Sequence, residues 1–505
     1  MMNFNDEVKL NKIREHVKKI EYLRFTNNNI LYWDKITTMP KKSLEFRSEV
    51  MAFFAGELHK LSEDKEFISL VNYFEEKGLD ELDIITSSMI RKIKRNHEYI
   101  NRIPQEEYKD YIYLISKTEE IWSSCKKDND FDTIVPYLEK IVEHFKSFTK
   151  YWGYEENPYD ALLRFYETGV TVKVIDPMFN QLRDFIIELL KKIETSKVEI
   201  KKDIFKGVFN KEDQSKMTKD ILNRIGFDFE AGRLDEGEHP TMLSNFNKDV
   251  RIITSYDEKS FIPGFTTALH GGGQALYEQG IGSDLYGTLL AEPSSMVILE
   301  SVARFYENIF GKSKEFWDFF SPIIKEYFPS LKDISKEEFF KAMNKVETSF
   351  IRMDADELTY NLHTIIRYEI EKDLINNKLR VKDIPKVWNE KFKNYFGIEP
   401  PNHTLGVLQD VHWFSGYFGY FPSHILGNLY GAQIYYTLKR DIPDYEDIVS
   451  GGNWKEINEW FKEKIFIHGA VYGPQELIYL VTDEKLKVEY FMNYLEEKYK
   501  EIYET

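Results

Sequence analysis

Over roughly its first 200 residues the chain repeats apolar residues at three- and four-residue spacing with charges between them, the pattern of one-sided helices. It is clear in 5-NDEVKLNKIREHVKKIEYLRF-25 and recurs through 41–76, 81–98, 105–125 and 131–152. Breakers separate these runs: Met39-Pro40, Gly78, Ile103-Pro104 and the turn 153-GYEENP-158. Long antiparallel helices follow. The pattern changes at 229–262, where HPTM, NFN and glycine-containing turns flank the β-branched run 249-DVRIITSY-256, one of few strand candidates. Helical periodicity returns near 263 and continues to about 375. The section 395–424 is rich in loops, and long loops in compact domains are often functional. Roughly the last 80 residues are again helical, broken at 450–454 and 472–474. No internal repeat, low-complexity linker or shift in composition marks a border. The expectation is a mainly α fold, one large multi-helix domain over 1–505 with a small β element.

Composition bounds what such a bundle does. Apolar residues make up 42% of the 505, which is globular rather than disordered. The 37 Phe and 32 Tyr point to large aromatic cores rather than to a binding stripe. A formal charge of −17 repels phosphate backbones, and Lys341, Lys345 and Lys372 alternate with acids as on solvated helix faces. Nucleic acid is therefore not an expected partner. The single cysteine, Cys125, allows no internal disulfide and no CxxC metal site, reads as an inert thiol, and fits a reducing compartment. The N-terminal MMNFNDEVKLNKIREHVKKIEYL has no apolar signal-peptide core, and no run of about 18 apolar residues occurs. A soluble cytoplasmic protein without a membrane partner is expected.

The stretch 261-FIPGFTTALHGGGQALYEQG-280 holds three adjacent glycines inside a helical pattern. It is not a phosphate loop: after Gly271 and Gly273 the third glycine of G-x-G-x-x-G would fall on Leu276, and the Gly311-Lys312-Ser313 ending has Tyr306 where a P-loop begins with glycine. HGGG also occurs in esterase oxyanion loops, but no G-x-S-x-G nucleophile elbow exists in the chain. A zinc helix needs histidines at i and i+4 on one face and a glutamate at i+1. His270 is present, with Gly271 at i+1 and Gln274 at i+4. Local chemistry alone leaves a helix with one polar histidine and a soft middle, each glycine costing about 1 kcal/mol against alanine.

The flanking motifs widen the view. The segments HPTM, DVRIITSYDE, ALHGGGQALYEQG, ESVARFYEN, IRMDADELTYNLH, GVLQDVHW and GYFGYFPSHILGNLYGAQ occur in this order, after 29-NILYWDKITTMPKKSLEFRSEVMAFFAGELHKL-61. Together they resemble the carboxypeptidase Taq family of metal-dependent carboxypeptidases over nearly the whole chain. The resemblance implies a mostly helical fold with a deep central groove and a small β element near the metal. Residues 1–200 would cover the groove, 229–310 would carry a degenerate metal site and 350–430 the substrate-groove motifs. It also implies release of C-terminal amino acids from peptides, zinc or another divalent metal, and a homodimer.

Carried over residue by residue, His270 is the first metal ligand and Glu300 the third, Gln274 stands at the second ligand and Gly271 at the catalytic base. The family's HE[SG]Q reads Leu299-Glu300-Ser301-Val302, DxRxT reads Asp249-Val250-Arg251-Ile252-Ile253, and HPF reads His239-Pro240-Thr241. IRxxAD is intact at Ile351–Asp356, and GxxQDxHW at Gly406, Gln409, Asp410, His412 and Trp413. The resemblance makes Arg352, Asp410, His412 and Tyr420 substrate-binding residues. A guanidinium such as Arg352 suits a terminal carboxylate, the plainer reading being an ion pair with Asp354 or Asp356. His412 reads equally as a packed histidine beside Trp413. His239, Asp249, His363 and His412 are possible recruits to a rearranged site, although Asp249 and Arg251 read better as anchors of the strand. Glu300, Arg304 and Glu307 share one helix face, so Glu300 can equally form an ordinary pair with Arg304. An amide oxygen is a weak zinc ligand, and general-base catalysis supplies about 10²–10⁴ in rate. The expectation is therefore an impaired carboxypeptidase, or a non-catalytic homologue that binds peptides or a partner protein through the groove.

Overall fold

The computed structural model describes residues 4–201, 204–205, 207–237 and 240–504; His239 lies outside the described residues. They form two compact units, each drawn from three stretches of chain. One comprises Met1–Glu98, Lys201–Phe340 and Ile434–Glu484, the other Tyr99–Ile200, Lys341–Gln433 and Lys485–Thr505.

The first unit begins with the helix Phe4–Arg24, which buries Leu10, Ile13, Val17 and Ile20 along one stripe. The helices Leu44–Ser62 and Lys65–Lys77 pack against it. Phe4–Arg24 runs directly into a wider π-helical turn, Phe25–Leu31. The sheet has three strands, β1 (Gly232–Glu236), β2 (Thr241–Phe246) and β3 (Asp249–Thr254), in the order β1-β3-β2. β3 is the expected strand. The segments expected as turns around it hold β1, parallel to β3, and β2, antiparallel to it. All six residues of β2 are half-buried, so no alternation of apolar and polar side chains announces it.

The HGGGQ stretch is helical throughout, inside Ile262–Gly280. This helix packs on β2 and β3 and between the helices Lys211–Arg224 and Met296–Arg304. Two of its glycines are there for close approach. A Cβ on Gly272 would come within 2.6 Å of Ile225 Cδ1, and one on Gly273 within 2.9 Å of Tyr306 and 3.1 Å of the Val302 carbonyl oxygen. Packing of bare backbone thus offsets the helix penalty at these positions. Gly271 differs: its nearest neighbour, Ile252 Cγ2, would be at an ordinary 3.4 Å.

The helical run expected from 263 is interrupted between Gly280 and Met296 by a loop with one 3-10 turn, Ser283–Leu285. The Glu21 carboxylate accepts the Gly287 and Leu289 N–H groups at 2.7 and 2.8 Å, and Leu289 sits in the left-handed region at φ 61°. The next helix starts after Ser295, whose side chain accepts the Ile298 N–H.

In the second unit the helix Tyr360–Ile375 buries residues on every side, as a central helix does. The expected loop section is irregular between the helix Ile384–Phe396 and Pro422. Glu371, on the central helix, ties it down: its carboxylate accepts from Trp413 Nε1, the Gly419 N–H and the Tyr159 hydroxyl, each at 2.7 Å. Burial pushes this carboxyl up to about 7 despite the three donors.

Candidate functional site

In the first unit the residues at the motif positions meet on two helices. His270 is one-quarter exposed at the middle of Ile262–Gly280. Its Nδ1 lies 2.8 Å from Glu307 Oε2, and its Nε2 lies 3.6 Å from Glu300 Oε2 and 3.4 Å from Gln274 Nε2. Glu300 sits on Met296–Arg304, and Glu307 on the π-helical turn Phe305–Phe310 that continues it. Arg304, between them, donates from Nε to Glu300 Oε1 at 2.8 Å and from Nη1 to Glu307 Oε2 at 3.3 Å. The reading of Glu300 as half of an ordinary i,i+4 pair is thus realised, and Glu307 joins it.

The electrostatics follow from this enclosure. Burial raises the Glu307 carboxyl, but Arg304 and the His270 hydrogen bond outweigh it and hold it down at about 2. Burial also disfavours charge on His270, yet the Glu300 charge and the Glu307 hydrogen bond raise its pKa overall. With His270 protonated, two cations face two carboxylates and the quartet is neutral. In the neutral ring, Nδ1–H donates to Glu307 and Nε2 accepts from the Gln274 amide. A carboxylate on Nδ1 is also how ligand histidines are oriented in metal sites.

A catalytic zinc takes three protein ligands and a water. This site offers one imidazole nitrogen, one carboxylate bonded to an arginine, and an amide whose NH₂ faces the imidazole. Among the described residues, no group of three or more His, Cys, Asp or Glu side chains is arranged to hold a metal ion. The residues present do not fit a three-ligand catalytic metal.

The remaining first-unit expectations also find places. Leu299, where the resemblance expects a histidine, lines a cavity. Val302 is buried, and its carbonyl approaches Gly273. Arg251 binds Asp249 in bidentate fashion at 2.8 and 3.0 Å, and its guanidinium lies 4.6 Å from the Trp33 ring centre. Arg233 lies 4.8 Å from the same ring, and Trp33 Nε1 donates to Asp235. Asp249 thus pairs with Arg251 on its own strand, and Arg251 reaches the Trp33 ring of the N-terminal WD segment.

The second unit gathers Arg352, Asp410, His412 and Tyr420. Arg352 is only 6% exposed. It donates from Nε and Nη2 to the two Asp410 oxygens at 3.1 and 3.0 Å and from Nη1 to the Tyr360 hydroxyl at 2.9 Å. Its ion-pair partner is thus Asp410 rather than Asp354 or Asp356. Asp356 instead accepts the N–H groups of Glu347, Leu358 and Thr359. Arg367, fully buried, also donates to Asp410, at 2.8 Å from Nε. Burial works against charge on Asp410, but the two guanidinium groups hold its carboxyl far below the usual range. His412 stacks on Tyr420 with ring centres 5.3 Å apart and also contacts Phe421. Burial keeps it neutral down to about pH 4. The cluster of Arg352, Arg367, Asp410 and neutral His412 therefore carries a net charge of +1, two guanidinium groups against one carboxylate. Arg367 was not singled out from the sequence: it lies outside the recognised motifs, and only the fold brings it to Asp410. His363 is buried against Phe392 and Phe396, which rules it out as a recruit. Cys125 is a buried thiol whose pKa burial raises.

Comparison with known proteins gives one answer. The family profile described as carboxypeptidase Taq (M32) metallopeptidase matches residues 12–499. The chain is similar to carboxypeptidase 1 of Bacillus subtilis, with 40% identity over 94% of this chain and 95% of the relative. It is 34% identical to thermostable carboxypeptidase 1 of Pyrococcus furiosus, over 93% of this chain and 94% of that one. Among solved structures, an M32 carboxypeptidase from Deinococcus radiodurans superposes with a TM-score of 0.95 at 29% identity, covering 99% of this chain and 100% of that one. A Pyrococcus furiosus carboxypeptidase does so with a TM-score of 0.94 at 33% identity, covering 99% of each.

Proposed function

Because the chain belongs to the carboxypeptidase Taq (M32) metallopeptidase family, we propose that it keeps the family's recognition of a free peptide C-terminus while hydrolysis by the family's metal route is impaired or lost. The family implies a divalent metal and peptide substrates. The donor set at His270, Gln274 and Glu300 falls short of that metal, zinc or other, and Gly271 offers no side chain as a base.

The observation that carries the binding half of the proposal is the net charge of the Arg352 cluster. A guanidinium has five N–H groups. Arg352 commits three of them, to Asp410 and Tyr360. Two N–H groups and a surplus positive charge remain on a largely buried residue. A carboxylate completes both, through charge-assisted hydrogen bonds. In this reading Asp410 orients Arg352, and His412 and Tyr420 form a neutral stacked wall.

Titration calorimetry with one peptide as the free acid and as its C-terminal amide tests this, with mass spectrometry to follow cleavage. The free acid is expected to bind about tenfold or more tightly, the worth of one charge-assisted contact, and to remain intact. Equal affinity for acid and amide contradicts the reading.

A homodimer is the partner the family suggests. The helix Leu44–Ser62 supports that proposal: none of its residues is buried, and Phe46 and Phe53 are 71% and 63% exposed. No described helix is long and apolar enough to cross a membrane. A reducing, cytoplasmic setting is proposed from the single buried thiol.

A further inference from the structure

A cavity of about 870 Å³ lies in the first unit, walled by the π-helical turn Phe25–Leu31, by β2 and by the loop at 286–292. Four carboxylates reach it: Glu21, Asp249, Glu278 and Glu292. Three of them are already neutralised or saturated. Asp249 is held by Arg251 and Asn245. Glu292 pairs with the buried Lys92 and with Arg24. Glu21 accepts two backbone N–H groups.

Glu278 is the exception among the carboxylates lining the cavity. It is 7% exposed, its hydrogen bond is to the uncharged Ser244 side chain, and the charge that acts on it is that of Glu292; of the cations on the wall, Lys18 and Arg24, Arg24 pairs with Glu292 and neither forms an ion pair with Glu278. Burial raises its carboxyl to about 7, with Glu292 adding to the rise. A buried acid without a cation is costly unless something supplies the charge. The aromatic lining suits a cation as well: Phe246 and Tyr286 meet edge to face at 4.3 Å on the wall.

We propose that this cavity binds a basic side chain, lysine or arginine, of a peptide ligand, with the Glu278 carboxylate as its counter-ion. The inference rests on the reading that the protein binds peptides. Glu278 is four residues beyond Gln274, one turn further along the same helix.

The test is calorimetry on the full-length protein with two peptides that differ only in arginine against norleucine, and with argininamide as a small probe. The arginine peptide should bind about tenfold or more tightly. In Glu278→Gln, an isosteric change, that preference should vanish while the norleucine peptide binds as before. Equal affinity for the two peptides in the wild type overturns the proposal without recourse to any variant, and so does a preference that survives Glu278→Gln. If neither peptide binds, the peptide-binding reading fails, and argininamide decides the cavity alone. Binding that Glu278→Gln abolishes upholds the pocket; no binding to the wild type overturns it.

Discussion

Arg304 Nε donates to Glu300 Oε1 across 2.8 Å, so the carboxylate that the resemblance places at the third ligand faces a cation from its own helix. The same arginine reaches Glu307, which holds the other side of His270. Gln274 and Gly271, at the positions that the resemblance gives to the second histidine and the base, lie within a continuous helix. His270, Arg304, Glu300 and Glu307 form one ion-pair quartet there, neutral when His270 is protonated, and the helix keeps its packing.

That packing separates the three glycines. Gly271→Ala should be neutral or raise stability by up to about 1 kcal/mol, because alanine is the better helix former and its Cβ meets only ordinary contacts. Gly273→Ala should lower stability by about 1–3 kcal/mol, because the Val302 carbonyl and Tyr306 stand in its way. Urea unfolding of the two variants checks the contrast. Equal losses at both positions would sink the account of why this helix tolerates glycine.

Restoring Gly271→Glu, Gln274→His and Leu299→His should raise zinc affinity by at least about 100-fold, since even outer-shell changes produce losses of that size. The space at Gly271 admits a Cβ at ordinary contact distance. Equilibrium dialysis with elemental analysis reads the result. A restored protein that binds zinc no better than the parent means that the site has been mapped wrongly.

Asp410 should be the most sensitive position of the second unit. Asp410→Asn leaves Arg352 and Arg367 buried without a counter-charge, a change that costs about 3–5 kcal/mol. Calorimetric melting measures it, and a loss under about 1 kcal/mol contradicts the buried-pair description.

His412 gives the pH dependence. Its folded pKa is lowered to about 4, against about 6.5 in the unfolded chain. Between those values the unfolded state binds more protons at this residue, so its own contribution to stability falls as pH drops from about 6.5 to about 4, against the opposite contribution of Glu278 and Glu371, whose carboxyls burial raises to about 7. His412→Phe keeps an aromatic ring against Tyr420 and should remove that contribution, so the stability of wild type minus variant falls as pH drops through the window. Unfolding curves at several pH values in this window decide it, and an unchanged slope rules His412 out as the source.

The sequence exposed the parts of this site that are local. His270, Gly271, Gln274 and Glu300 sit in one helix register or one motif, and Glu300–Arg304 is a spacing any helix pairs. Contacts made by the fold were not legible. Arg352 finds Asp410 58 positions away, and Arg367 joins them from another helix. β1 and β2 escaped because GRLDE and TMLSNF lack the β-branched run that marks β3, DVRIIT. The exception at Glu278 emerges only when the partners of its three neighbouring carboxylates are known.

The central claim is that the His270 site has exchanged its metal chemistry for an ion-pair quartet. Release of C-terminal residues from a blocked dipeptide, measured with saturating divalent metal, tests it most directly. The account predicts no release above background, with or without added zinc. Steady turnover that a chelator abolishes and zinc restores would contradict it.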